Sequence, residues 1–175
     1  MKQSTLNVMM KKNKKYFLTF ILIISCYAIQ AQQGDSYINL QAGIKGSIQA
    51  TNVKTPSFYG SYEYFVRDNI SIGVIGGYAP LSLETLQYVN GQGLQQGEEE
   101  ISNIVGGGLL NFYLANGDEF DFYLGGSIGY ASGLTARFLY EMHAGARYNL
   151  SDSFALNSEV GYGLSLLKVG ISFKL

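Results

Sequence analysis

Cysteine, proline, positive charge and long apolar runs are all scarce in this chain, and each shortage excludes something. The one cysteine is Cys26; it lies near the N-terminus, so disulfides contribute nothing to the remainder. Proline is limited to Pro56 and Pro80. Five of the twelve Lys+Arg precede residue 32, and the seven that follow face thirteen Asp+Glu, a formal charge of −6. That balance argues against nucleic acid, which wants a basic face. The longest apolar run, YFLTFILIISCYAI at 16–29, has 14 residues, short of the roughly 20 a membrane-spanning helix needs. After residue 32 no apolar residues recur at a helical period.

That run has another use. Lys11, Lys12, Lys14 and Lys15 precede it, and Gln30-Ala31 follows it. A basic region, a short apolar region and a small residue at the exit describe a secretory signal peptide. Residues 1–31 are therefore read as signal, with cleavage after Ala31 and Met10 as an alternative start. Ile23-Ile24-Ser25-Cys26 is similar to a lipoprotein box, which keeps a lipid-anchored form as an alternative.

The mature part, 32–175, is one domain in size. It is rich in glycine, tyrosine and phenylalanine and poor in long helix formers, a composition that favours strands. Its segments alternate apolar and polar. In RFLYEMHAGARYNL (137–150) one face is Phe138, Tyr140, Met142, Ala144, Ala146, Tyr148 and Leu150. The other carries Arg137, Glu141, His143 and Arg147. Similar alternation runs through 37–48, 57–67, 70–78, 101–115, 119–131, 154–164 and 166–175, giving eight strands of the 9–11 residues a tilted membrane strand requires. Connections near 68, 116 and 152 are tight and rich in Asp, Asn and Ser. The stretch 81–99 shows no strand pattern; its Leu81, Leu83, Leu86, Tyr88 and Val89 either dock a surface partner or extend the third and fourth strands. A secretory signal, an even strand count and turns of alternating length predict an all-β, eight-stranded, antiparallel up-and-down transmembrane β-barrel.

In such a barrel the apolar ladder faces lipid and the lumen is just wide enough for side chains to fill it. The inward set is then Lys45, Glu63, Asp121, Arg137, Glu141, His143, Arg147, Glu159, Lys168 and Lys174. Five cations stand against four anions and one histidine, and paired buried charges are tolerable where isolated ones are not. Inward glycines make room for the longer side chains.

Across 35–175 the chain resembles the small outer-membrane barrels of the OmpX, OmpA transmembrane-domain and opacity-protein kind. Its end, with Lys168, Gly170, Phe173 and Leu175, is similar to their C-terminal assembly signal, departing in closing on Leu175 rather than an aromatic. The resemblance implies insertion into a Gram-negative outer membrane by the barrel-assembly machinery, with lipid and lipopolysaccharide as surroundings. It implies no particular activity, because such barrels serve structural, adhesive and protective roles.

Local chemistry adds little. His143 with Glu141 two residues away offers acid–base groups, and some eight-stranded barrels modify lipid A acyl chains with a His and a nearby Ser, but here Gly145 holds the next inward position. Gly106-Gly107-Gly108 and the glycines of 125–129 open onto no helix, so they are strand glycines, not phosphate loops. Glu98-Glu99-Glu100 is either a solvated loop edge or a contributor to divalent-cation binding. The tyrosines read as interface girdle and lumen filling. The expected role is structural or surface-interacting, without catalysis, cofactor or resident metal. The alternatives are a small passive channel, or a soluble periplasmic barrel with its apolar ladder inside and a ligand in its lumen. Mass spectrometry of the exported protein should find Gln32 at its N-terminus.

Overall fold

The computed structural model describes residues 33–48, 51–53, 56–88, 94–132 and 137–175. The signal segment, with Met10, Ala31 and Cys26, lies outside them, as does the Arg137 side chain. The strands are β1 (Ser36–Ile44), β2 (Gly46–Ile48), β3 (Thr51–Val53), β4 (Ser57–Arg67), β5 (Ile70–Tyr78), β6 (Leu81–Tyr88), β7 (Leu94–Ile101), β8 (Ile104–Asn116), β9 (Phe120–Ala131), β10 (Arg137–Ser151), β11 (Phe154–Tyr162) and β12 (Leu167–Lys174). Eight of them close on themselves in the order β1-β12-β11-β10-β9-β8-β5-β4. Every neighbouring pair is antiparallel, and β1 completes the ring by pairing with both β4 and β12. The fold is thus the predicted eight-stranded antiparallel barrel.

Its two ends differ. At one end, β4–β5, β8–β9 and β10–β11 are joined by short turns, and each pair has a register shift next to its turn. The shifts leave Val66, Leu114 and Leu150 unopposed. Bulges of this kind increase local twist, which helps a sheet curl into a barrel. The turns also bond to one another: Asn116 Nδ2 donates to the Asp68 carbonyl, and Asn149 Nδ2 to the Gly117 carbonyl at 3.4 Å.

The opposite end carries the longer connections, and here the structure resolves one open sequence reading and corrects another. The stretch 81–99, where the sequence shows no strand pattern, takes one of its two expected roles and extends the third and fourth barrel strands as the β6–β7 hairpin, with Leu81 opposite Ile101 and Tyr88 opposite Leu94. Together with β2 and β3 it forms a separate four-stranded sheet, β2-β3-β6-β7. The hairpin continues β5 and β8 beyond the barrel, with the Ala79 amide donating to the Asn103 carbonyl at 2.9 Å. The correction concerns the first strand, expected over 37–48. It breaks at Lys45, whose φ of 46° is in the left-handed region. Lys45 is exposed and is not a lumen residue. Its carbonyl instead accepts the Leu166 amide from the β11–β12 connection.

Alternation sets what each face shows. Outward, the middle of the wall is aliphatic: Leu40, Ile72, Val74, Leu110, Leu124, Leu156 and Val169 are all exposed. Aromatic side chains border it. Near the short turns lie Tyr62, Tyr64, Phe120, Phe122, Tyr148 and Phe173; near the long connections lie Phe58, Tyr78, Tyr130, Phe138, Tyr140 and Tyr162. From Phe120 to Tyr130 the strand runs about 34 Å, or roughly 26 Å of height at a barrel tilt of about 40°, close to the apolar band of a membrane barrel. A soluble barrel with its apolar ladder inside has the opposite sidedness, and this chain does not adopt it.

Inward, the wall approaches itself closely. Gly107 and Gly129 are register partners. A Cβ on Gly107 would meet the Ile128 carbonyl and stand 2.9 Å from the Gly129 Cα, whereas one on outward Gly108 would meet nothing within 4 Å. Gly107→Val should therefore cost about 1 to 3 kcal/mol or more through overpacking. Gly108→Val should stay within about 0.5 kcal/mol of the parent. Urea unfolding of the refolded barrel in lipid vesicles measures both.

Candidate functional site in the barrel lumen

Inward-pointing side chains from all eight barrel strands fill the interior in layers. At the end with long connections the layer is apolar: Tyr59, Ile75, Ala79, Val105, Ala131, Leu139 and Leu164. Leu164 comes from the short β11–β12 connection, which turns into the mouth because Gly163 adopts a φ of 122° that side-chain-bearing residues rarely take. The Tyr59 hydroxyl fixes it by donating to the Leu164 carbonyl at 2.9 Å.

Below that layer lies Lys168 of β12. Its ammonium contacts Glu141 Oε1 at 2.5 Å and Glu159 Oε2 at 3.0 Å. Both carboxylates have further donors: Ser127 Oγ bonds Glu141 Oε2 at 3.1 Å, and the Tyr123 hydroxyl bonds Glu159 Oε1 at 2.9 Å. His143 projects beside them, with Nδ1 4.0 Å from Glu141 Oε1 and Nε2 3.0 Å from Asn111 Oδ1. Gly125 allows this approach, since a Cβ there would overlap the Asn111 amide oxygen and lie 2.7 Å from His143 Nε2.

The next layer is organised by Glu63 of β4. Its Oε1 accepts from Asn39 Nδ2 at 2.6 Å and Arg147 Nη2 at 3.4 Å. Its Oε2 accepts from Ser71 at 2.8 Å and from Asn111 Nδ2 and the Tyr113 hydroxyl at 3.0 Å each. Arg147 also faces Asp121 Oδ2 at 3.8 Å. Its guanidinium lies 4.0 Å above the Tyr37 ring and within 6 Å of Tyr113 and Tyr123, geometry that supplies cation–π attraction. Tyr37, Phe65, Tyr113 and Tyr123 form one aromatic cluster toward the short turns. On the remaining wall Ser172 Oγ donates to Asn39 Oδ1 at 2.6 Å and accepts from Asn157 Nδ2 at 2.7 Å.

Of the sequence-derived charge set, Glu63, Asp121, Glu141, His143, Arg147, Glu159 and Lys168 are therefore buried together. Lys174 is not: its side chain is 35% exposed and pairs with Asp35 at 2.6 Å at the short-turn rim, because β12 ends there. Lys45 is outside, as described above. The residues of the C-terminal motif divide between faces. Lys168 and Gly170 point inward, a Cβ on Gly170 lying 2.9 Å from Gln41 Cγ, while Phe173 packs outward on Phe154 at 5.4 Å between ring centroids and the Leu175 amide bonds the Ser36 carbonyl at 2.9 Å. For Glu98–Glu100 the described feature is the β7 backbone, which sets Glu98 opposite Glu84.

Sequence reasoning found the charged residues but not the neutral ones that hold them. Asn39, Asn111, Asn157, Ser71 and Ser172 have the same inward parity as the charges, and that parity was the available signal.

No protein-family model matches the sequence, and no curated protein matches it significantly. Solved structures do. The N-terminal β-barrel domain of Pseudomonas aeruginosa OprF aligns with 83% of this chain and all of that one, at 12% identity and a TM-score of 0.56. A de novo designed transmembrane β-barrel aligns with 84% of this chain and all of its own, at 16% identity and a TM-score of 0.54. The attachment invasion locus protein Ail of Yersinia pestis covers 82% of the chain at 16% identity, with a TM-score of 0.44. At such identities the likeness is one of fold: this chain has the closed eight-stranded architecture of transmembrane β-barrels.

Removing one partner of a buried ion pair leaves the other charge uncompensated, at about 3 to 5 kcal/mol. Glu63→Gln should therefore destabilise the barrel by about that amount and lower its urea midpoint. Glu63→Gln combined with Arg147→Met should recover a substantial part of the loss.

Proposed function

We propose that this chain is an outer-membrane protein of a Gram-negative bacterium with a structural or surface-interaction role and a lumen plugged by its charged network. The observation that carries the reading is the outer wall: a closed barrel whose lipid-height aliphatic band is bordered on both sides by aromatic rows. Closure pairs the backbone groups strand to strand, as hydrocarbon demands. On this reading the chain is exported by its N-terminal signal and inserted by the barrel-assembly machinery through Lys168, Gly170, Phe173 and Leu175. The β2-β3-β6-β7 sheet then stands at the lipopolysaccharide surface, where it is the part of the molecule available to a surface partner. Buried side chains at every level of the lumen support a role without steady conduction.

Three measurements test this. Separated membranes should show the protein in the outer membrane only, with a band whose gel mobility shifts on boiling; a soluble, unshifted band overturns the reading. Leu124→Arg, placing a charge at mid-wall, should destabilise the lipid-embedded barrel by about 2 to 4 kcal/mol. In planar bilayers the parent should conduct no steady current. A current that Arg147→Met alters without loss of the folded band would favour the passive-channel reading instead.

A further inference from the structure

The proton positions around His143 follow from a chain of hydrogen bonds. The carboxylate of Glu63 receives donors at both oxygens, and an ionised carboxylate can only accept. Asn111 must then direct its NH₂ group at Glu63 Oε2 (3.0 Å) and its carbonyl oxygen at His143 Nε2 (3.0 Å). Nε2 accordingly donates to Asn111, and Nδ1 is the ring atom left without a hydrogen-bond partner. It is buried and faces Glu141, with Oε1 4.0 Å away. A buried polar atom without a partner is costly unless a ligand occupies the space it faces.

From this we infer that Glu141, His143 and Glu159 form a lumen site for a divalent transition-metal cation of zinc's class. One donor atom from each lies within 4.8 Å of the others, and all three residues are buried. Imidazole nitrogen with carboxylate oxygens is a donor set suited to zinc. Tetrahedral binding at about 2.0 to 2.2 Å puts donors roughly 3.4 Å apart, which the flexible glutamates reach by closing inward. The outer shell is already in place. Asn111 holds the other ring nitrogen, as partners of metal-bound histidines do, and Ser127 and Tyr123 hold the two carboxylates.

Charge points the same way. At this level of the lumen Glu141 and Glu159 oppose Lys168 alone, so the carboxylates outnumber the one ammonium that joins them. Lys168 is the competitor: its ammonium occupies Glu141 Oε1 and Glu159 Oε2 and must yield one oxygen to the metal.

The test uses the untagged full barrel, refolded in detergent with and without zinc and freed of excess metal by gel filtration. The expected result is one zinc per folded barrel, released on unfolding with chelator, and at least about tenfold weaker retention in His143→Gln. A barrel that folds in the presence of zinc yet retains none, or wild-type stoichiometry in His143→Gln, overturns the site. Should the variant lack the heat-shifted band, ¹⁵N-histidine NMR of the parent decides. A zinc-dependent shift confined to Nδ1, with Nε2 still protonated, supports the site; two protonated ring nitrogens unaffected by zinc overturn it in favour of a buried imidazolium.

Discussion

The carboxylate of Glu63 binds side chains from β1, β5, β8 and β10 while sitting on β4. β1 and β5 are the ladder neighbours of β4, but β8 lies two strands away and β10 directly across the ring, and no backbone ladder joins either of these to β4. Backbone pairing fixes each strand only to its two neighbours. A closed sheet held by those ladders alone could shear or flatten, since nothing in a ladder specifies the distance across the lumen. Bonds that cross the interior do, and Glu63 makes more of them than any other residue described. They are also sheltered: the apolar layer around Leu164 lies on one side and the aromatic cluster on the other. In that setting a satisfied charge network is strong and a half-satisfied one is costly.

This arrangement explains why an interior so polar is compatible with a stable barrel. Outside, lipid offers no hydrogen bonds and the wall presents carbon. Inside, there is no room for bulk water, so each polar group must find another. Glycine and tyrosine divide the labour. A missing Cβ at Gly145 accommodates the ring of Tyr123, and the Tyr123 hydroxyl then reaches Glu159. The abundance of both residue types in the composition follows from that need for alternating recess and projection across a narrow bore.

The barrel was legible in the sequence because alternation has a period of two and is enforced on both faces at once. Strand count, the three tight turns and the direction of nearly every barrel side chain follow from that rule. Where the rule is locally broken, the reading failed or stayed open. Lys45 keeps the parity of Asn39 and Gln41, yet its left-handed backbone takes it out of the wall. The hairpin of β6 and β7 has Leu81 and Leu83 in step but then slips to Leu86, so its pattern is not continuous. Parity also says nothing about which inward groups meet. That Lys168 joins Glu141 and Glu159, while Arg147 joins Glu63 and Asp121, depends on the stagger of the closed sheet, a property of the ring and not of any one strand.

The two layers that border the charged interior are made of different materials. Toward the long connections the barrier is carbon with one tethered backbone loop; toward the short turns it is an arginine seated among tyrosines. An ion crossing the lumen meets them in series, so the chance of passage is the product of two independent openings. Leakage through such a molecule is therefore governed by coincidence, and strengthening either barrier lowers it even when the other is left as it stands.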